Sequence, residues 1–176
     1  MEKKYITGLM NKMTEEGRND EEILSELWQQ LKSSSSVNEP SAIYANDNSQ
    51  TGPVLFDIID TLRKGLRYEQ FEAVTKDIPL DGEEWKKVLH LSRRTLKRYK
   101  EENRVFETKY AERIFEIRML YDLGMEVFEN KEKFNTWLTR ENVVLGNVVP
   151  KTLLDTTIGI DILRDQLGRI DHGILA

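Results

Sequence analysis

Cysteine is absent from this 176-residue chain, and only two histidines, His90 and His172, are present. The lack of cysteine excludes a disulfide framework, a thiolate metal site and a cysteine nucleophile. Two histidines are too few for a convincing zinc cluster, so we expect no metal and no cofactor. Glycine and proline are also scarce, with 10 and 4 copies. Their scarcity favours helices over a β fold with many turns.

Sequence motifs for catalysis are missing as well. The chain contains neither a GxGxxG nor a GxxxxGK[ST] phosphate loop, and no serine lies in a nucleophile-elbow pattern. Acidic pairs such as Glu83-Glu84 and Glu101-Glu102 are sequence neighbours on polar helix faces. Adjacent helical residues do not point to one spot. We therefore expect no catalytic residues and no enzyme activity.

Long hydrophobic runs are also lacking. No stretch approaches the roughly 18 uncharged apolar residues that a membrane span requires. Residues 1–12 mix charges with scattered apolar side chains and lack the apolar run of a signal peptide. We expect a cytoplasmic protein without membrane contact.

The composition that remains suits a helical domain, because 39% of the residues are hydrophobic and 32% are charged. We predict an all-α fold with three parts. Residues 1–50 form an N-terminal extension, residues 51–105 a helix-turn-helix-like domain, and residues 106–176 a long helix plus a small helical C-terminal domain. Helical spacing of apolar residues predicts helices over residues 19–32, 54–64, 68–75, 81–89, 93–102, 106–128, 131–138, 151–155 and 159–169.

The predicted helix at residues 19–32 carries an apolar stripe that includes Ile23, Leu27, Trp28 and Leu31. This stripe could pack on the rest of the fold or on a second copy. It could instead belong to a separate docking, dimerisation or degradation segment. A polar linker at residues 33–53 follows it.

Positive charge is concentrated in one segment, although the net charge of the chain is −5. Residues 86–100 contain seven lysines and arginines and no acid. His90-Leu91 forms a turn, and Ser92 can cap the next helix, which is the layout of a helix-turn-helix whose second helix enters the major groove. We predict operator-DNA contacts from Arg93, Arg94, Thr95, Lys97 and Arg98. The alternative is a solvated charged face that binds nothing.

Two segments near the C-terminus could contact a partner. The break at residues 139–150 is rich in valine and could form a short strand, but we expect an ordered loop. The tail at residues 170–176 is expected to be irregular. Its Ile174 and Leu175 could enter a partner's cleft, with Asp171 and His172 as polar groups. The other reading is that the tail folds back on the core.

From about Gly65 onward, the sequence resembles the Xre/MbcA/ParS-type antitoxins, which are the partners of RES-domain toxins. The resemblance depends on short strings in a fixed order. They are Gly65-Leu66-Arg67-Tyr68, Leu91-Ser92-Arg93-Arg94-Thr95-Leu96, Phe128, Trp137-Leu138, Leu145-Gly146, Pro150, Leu153-Leu154-Asp155-Thr156, Gly159 and Leu167-Gly168-Arg169-Ile170-Asp171-His172-Gly173.

The resemblance implies a dimeric antitoxin whose C-terminal region covers the NAD⁺ pocket of a RES-domain toxin and which also binds operator DNA. By position, it implies toxin contacts from Asn142, Leu145, Gly146, Asn147, Pro150, Arg169, Asp171, His172 and Gly173. The family often has two glycines after the loop leucine, whereas Asn147 stands at the second position here. Asparagine tolerates left-handed backbone, so the turn can survive. The alternative function is a helix-turn-helix transcriptional regulator without a toxin partner.

Overall fold

The computed structural model describes residues 51–173. Predictions for residues 1–50 and for Ile174 and Leu175 therefore lie outside the described residues. The predicted all-α fold is confirmed, because helices dominate the described part of the chain. In chain order these helices are α1 (Thr51–Lys64), α2 (Tyr68–Thr75), α3 (Gly82–Val88), α4 (Arg93–Glu101), α5 (Thr108–Phe128), α6 (Lys131–Thr139) and α7 (Thr157–Asp171).

The chain divides into two compact units, Met1–Thr61 and Leu62–Ala176. In the first unit, the described residues belong to α1, where Phe56 and Ile59 are exposed. The second unit contains the rest of the described elements. The basic helix and the C-terminal loop and tail, which the sequence predicts as contact segments, all fall in this second unit.

Polar side chains fix where several helices begin, as the sequence predicts. Asp81 caps α3, because its carboxylate accepts hydrogen bonds at 2.8 Å from the amides of Glu83 and Glu84. Ser92 caps α4 by accepting the amide of Thr95 at 3.0 Å. Each cap satisfies amide donors that the first helical turn leaves unpaired.

A two-stranded antiparallel ribbon was not predicted from the sequence. It pairs β1 (Leu66–Arg67) with β2 (Val105–Phe106). The helix predicted to begin at residue 106 therefore begins two residues later, at Thr108. Gly65 has φ +83°, and a Cβ there would overlap the carbonyl oxygen of Phe106, so a glycine is needed where the ribbon starts.

The core of the helix-turn-helix region is aromatic. Phe106 is fully buried, and its ring lies 4.6 Å from that of Tyr99 and 5.2 Å from that of Phe71. Phe71 in turn meets Trp85 of α3 edge to face, at 5.0 Å. These rings join α2, α3, α4 and the ribbon around one centre, which fixes the position of α4.

The C-terminal helices pack on α5. Phe134 of α6 is fully buried, and Gly124 of α5 leaves room for its ring, since a Cβ at Gly124 would overlap it. Leu163 and Leu167 of α7 are also fully buried. A Cβ at Gly159 would overlap the carbonyl oxygen of Leu153, so the first turn of α7 lies against the preceding segment.

The segment between α6 and α7 contains the ordered loop predicted at residues 139–150, but the helix predicted at residues 151–155 is wrong, because that stretch forms only a short 3-10 turn. It contains two short 3-10 turns, Val143–Leu145 and Pro150–Leu153, and one antiparallel bridge between Asn142 and Val148.

The predicted irregular tail is wrong at Ile170 and Asp171, because α7 continues through both residues. Ile170 is half-buried and extends the inward side of α7. Gly168 lies inside the helix and does not end it. The helix ends instead before Gly173, whose φ of +66° is the left-handed geometry common after a helix C-terminus.

Candidate functional site

The outward side of α4 forms the first candidate site. We call it the basic face and define it as Arg93, Arg94, Lys97 and Arg98, all of which are exposed. Tyr99 is buried on the opposite side of the helix, so these cations necessarily point away from the core. Thr95, the fifth predicted DNA contact, is half-buried, and its hydroxyl lies 2.7 Å from that of the capping Ser92.

Residues 86–100 contain no acid, but acidic residues on either side of this segment neutralise part of its positive charge. Glu83 of α3 binds Arg93 at 2.6 Å and also binds Lys86. The hydrogen bonds from Lys86 and then Arg93 hold the pKa of Glu83 below its ordinary value, so this carboxylate is ionised at neutral pH. Lys97 lies 3.5 Å from Glu101.

Lys100 pairs with Glu72 of α2 at 2.9 Å, and this hydrogen bond raises the pKa of Lys100. Among residues 51–173, the cations of the segment that make no ion pair are Lys87, Arg94 and Arg98. The cationic surface available to a phosphate backbone is therefore smaller than the acid-free run suggests. The Glu72–Lys100 and Glu83–Arg93 pairs form only through the fold, whereas Lys86–Glu83 and Lys97–Glu101 have the helical spacing of local pairs.

The turn at residues 142–148 is the second candidate site. The backbone amide of Asn142 donates to the carbonyl of Val148 at 3.0 Å, and its side chain accepts the amide of Val144 at 2.9 Å. Gly146 and Asn147 are exposed and have φ +73° and +62°. The prediction that asparagine can adopt the left-handed geometry of this turn is thus confirmed. The turn presents Val143 to solvent, with 81% of its surface exposed.

Two other predicted loop residues are less accessible. Leu145 is half-buried, and Pro150 is fully buried. In this structure Pro150 therefore presents little surface to a partner. The polar residues after it have structural partners: Lys151 pairs with Glu84 of α3 at 2.5 Å, and the hydroxyl of Thr152 donates to the carbonyl of Val149 at 2.7 Å.

The end of α7 is the third candidate site. Arg169, Asp171, His172 and Gly173 are all exposed, so none of them completes the core. Arg169 pairs with Asp165, one turn earlier on the same helix, at 2.9 Å. Sequence reasoning missed Ile158 and Ile162 on this helix, which are 73% and 44% exposed. Ile158 lies before the helix predicted at residues 159–169 and Ile162 lies within it, whereas the structure places both on the exposed side of α7.

Polar contacts connect the helix-turn-helix region to the C-terminal helices. His90, whose φ is +53° in the turn before α4, bonds through Nε2 to the carbonyl of Asp155 at 3.0 Å. The Glu84–Lys151 ion pair also connects α3 to the Pro150–Leu153 turn. The candidate surfaces are therefore parts of one compact unit rather than of two tethered domains.

The part of the chain that the structure describes contains neither a metal-binding cluster nor a membrane-spanning helix. Between residues 51 and 173, no group of three or more histidines or acids is arranged to hold a metal ion. None of the helices in that range is both long enough and apolar enough to cross a bilayer.

Two protein-family models match consecutive segments of the chain. Residues 57–119 match the antitoxin Xre-like helix-turn-helix domain. Residues 123–173 match the antitoxin Xre/MbcA/ParS C-terminal toxin-binding domain. The first match contains the basic face and extends into α5, past the boundary that we predicted at residue 105. The second contains the turn at residues 142–148 and the whole of α7.

Curated relatives with the name Antitoxin Xre agree with these matches. One from Yersinia enterocolitica is 23% identical over 120 residues, which cover 68% of this chain and 81% of that protein. Another, from Photorhabdus laumondii subsp. laumondii, is 32% identical over 72 residues, which cover 40% of this chain and 49% of that protein. The chain therefore spans most of the first relative and about half of the second.

Proposed function

We propose that this chain, which belongs to the family of Xre-type antitoxins, neutralises a RES-domain toxin by covering the toxin's NAD⁺ pocket with its C-terminal region. A toxin partner follows from the matched toxin-binding domain. We propose that this partner is a RES-domain protein. The short sequence strings between Leu145 and Gly173 support this, because they resemble those of Xre/MbcA/ParS-type antitoxins.

One observation carries the proposal: the last described residues of α7 face solvent. Asp171, His172 and Gly173 are exposed, while Leu163 and Leu167 anchor the same helix in the core. A rigid helix that ends in exposed polar groups can present them to a partner at low entropic cost, because the bound geometry is already formed.

Co-expression tests this function. The protein encoded by the adjacent reading frame should arrest growth when it is produced alone and deplete cellular NAD⁺, and co-production of this chain should prevent both effects. A chain that ends at Asp171 retains all of α7 and should fold normally by circular dichroism, yet protect poorly. If the neighbour is harmless alone, or stays toxic beside the full chain, the proposal is wrong.

A second activity, binding of operator DNA through α4, is favoured by the exposure of Arg94 and Arg98 on the basic face. Arginine can bond in a bidentate manner to a guanine edge, whereas phosphate contacts add affinity without sequence preference. An electrophoretic shift with the promoter DNA of its own operon tests this activity. Unchanged mobility at low salt would contradict it. Both activities would be exerted in the cytoplasm, where we expect the chain.

We also propose that the chain acts as a homodimer, since helix-turn-helix proteins commonly read two half-sites with two copies. The exposed apolar side chains Phe56 and Ile59 on α1 support self-association. Sedimentation equilibrium should give twice the monomer mass, and Phe56→Glu should shift the chain toward monomer. A monomeric wild-type chain would contradict this arrangement.

A further inference from the structure

The outward side of α7 carries an apolar pair that the fold does not use. Ile158 and Ile162 lie one helical turn apart, and 73% and 44% of their surfaces are exposed. The inward side of the same helix buries Ile160, Leu163 and Leu167 almost completely. The helix is therefore apolar on two sides at its N-terminal end, although only one of these sides packs against the rest of the chain.

This pair continues into polar residues along the same side of the helix. At 3.6 residues per turn, positions 158, 162, 165, 169 and 172 fall within an arc of about 80° and extend over about 21 Å. All five residues are exposed, and His172 is the C-cap of α7. We call this surface the α7 strip and define it as Ile158, Ile162, Asp165, Arg169 and His172.

The position of the strip indicates which partner covers it. Every strip residue lies within residues 123–173, the segment matched as a toxin-binding domain. The strip leads directly into Asp171, His172 and Gly173, the residues proposed above to reach the toxin's pocket. Its composition, with an apolar pair at one end followed by the Asp165–Arg169 ion pair and then His172, resembles the core and rim of an interface between separately folded partners.

A second copy of the chain is a less suitable occupant. The described residues offer another exposed apolar pair for self-association, Phe56 and Ile59, and this pair lies outside the matched toxin-binding segment.

We propose that the α7 strip is the surface on which the toxin docks, with Ile158 and Ile162 as its apolar anchors. The toxin would present a shallow apolar groove that accepts two isoleucines one helical turn apart, beside the entrance of its active-site pocket. Docking along the strip then directs the end of α7 into that pocket. This inference rests on the proposed antitoxin function and identifies the surface that provides most of the affinity.

Isothermal titration calorimetry with the purified product of the adjacent reading frame, carrying a substitution that removes its toxicity, tests the strip. The double variant Ile158→Glu/Ile162→Glu places two charges where apolar contact is needed. Its affinity should fall about 100-fold or more, since buried anchors dominate interface energetics. The matched control, Ile158→Val/Ile162→Leu, keeps the strip apolar and should bind within about fivefold of the wild-type chain, because swaps between aliphatic side chains cost little.

The outcomes separate this inference from the function on which it rests. If the wild-type chain binds and the glutamate variant binds equally well, the strip is not the docking surface, while the antitoxin function stands. If the wild-type chain does not bind, both fail. If the glutamate variant changes the sedimentation of the free chain but not its affinity for the toxin, the strip is a self-association surface and the inference is overturned. Unchanged circular dichroism and operator binding exclude misfolding as the cause of any loss.

Discussion

Helices α4 and α7 begin in the same way but have very different outward sides. Each begins with a hydroxyl cap, Ser92 for α4 and Thr156 for α7. On its outward side α4 presents four cations, two of which are held by Glu83 and Glu101. The outward side of α7 presents two isoleucines before its charged end.

The two proposed interfaces therefore depend on different interactions. The basic face would bind through electrostatic attraction, and the α7 strip through burial of apolar surface. Phosphate contacts release counterions, so binding through the basic face should weaken steeply as salt rises. Burial of an apolar pair is nearly independent of ionic strength. One compact unit thus offers a salt-sensitive surface and a salt-tolerant one, and substitutions should separate them.

The most disruptive test is Phe134→Ala, which asks whether the two surfaces share one folding unit. Phe134 is fully buried between α5 and α6, and its loss should lower the free energy of unfolding by about 3–5 kcal/mol. Because α5 connects both regions, urea unfolding should show one transition, and operator and toxin binding should disappear together on warming. Operator binding that survives after toxin binding is lost would show two independent domains.

The double variant Arg94→Ala/Arg98→Ala tests the salt-sensitive surface. Neither side chain makes an ion pair with another residue between 51 and 173, so both are available to DNA. Operator affinity should fall by about 10- to 100-fold, and the slope of log affinity against log salt should decrease by about 2. Toxin affinity should not change. As a matched control, Arg93→Ala should have a smaller effect, because Glu83 already holds Arg93. If both variants lost operator affinity equally, the Arg93–Glu83 ion pair would not restrain Arg93 as described.

Removal of the Glu83 carboxylate, which pairs with a cation of the basic face, should increase operator affinity. Glu83→Gln releases Lys86 and Arg93, and we expect operator DNA to bind a few-fold more tightly, with a salt slope steeper by about 1. Since Lys86 and Arg93 lower the pKa of Glu83, the carboxylate is charged above that pKa and neutral below it. The advantage of the variant should therefore be full at neutral pH and disappear as the pH falls through the lowered pKa. An advantage that persists at all pH values would mean that charge neutralisation is not the cause.

The smallest expected effect concerns the contact between the two regions. Lys151→Met removes the ion pair with Glu84, whose side chains are 24% and 26% exposed. The free energy of unfolding should fall by about 0.5–1 kcal/mol, and differential scanning calorimetry should detect this as a lower melting temperature. Lys131→Met breaks the more exposed pair with Asp77 and serves as the control, with a smaller shift. A larger loss from the control would mean that burial does not determine the strength of these pairs.

Local patterns in the sequence were sufficient to predict most of the helices, the basic helix and the ordered loop. Asp81 and Ser92 mark helix starts through hydrogen bonds to amides within three residues, so their effect can be read without the fold. The left-handed turn at Asn147 likewise depends on one residue's own backbone preference.

The ribbon, the neutralised cations and the α7 strip depend on tertiary structure. Leu66 meets Phe106, and Lys100 meets Glu72, only because packing brings distant segments together. Helical periodicity places Ile158 and Ile162 on the side of α7 opposite Leu163, and the fold decides that only the side of Leu163 is covered. The sequence alone thus determined most of the helices and the capped starts of α3 and α4, since these depend on nearby hydrogen bonds. The fold decided which charges remain unpaired and which apolar side chains remain exposed, because pairing and burial depend on neighbours that are remote in the chain.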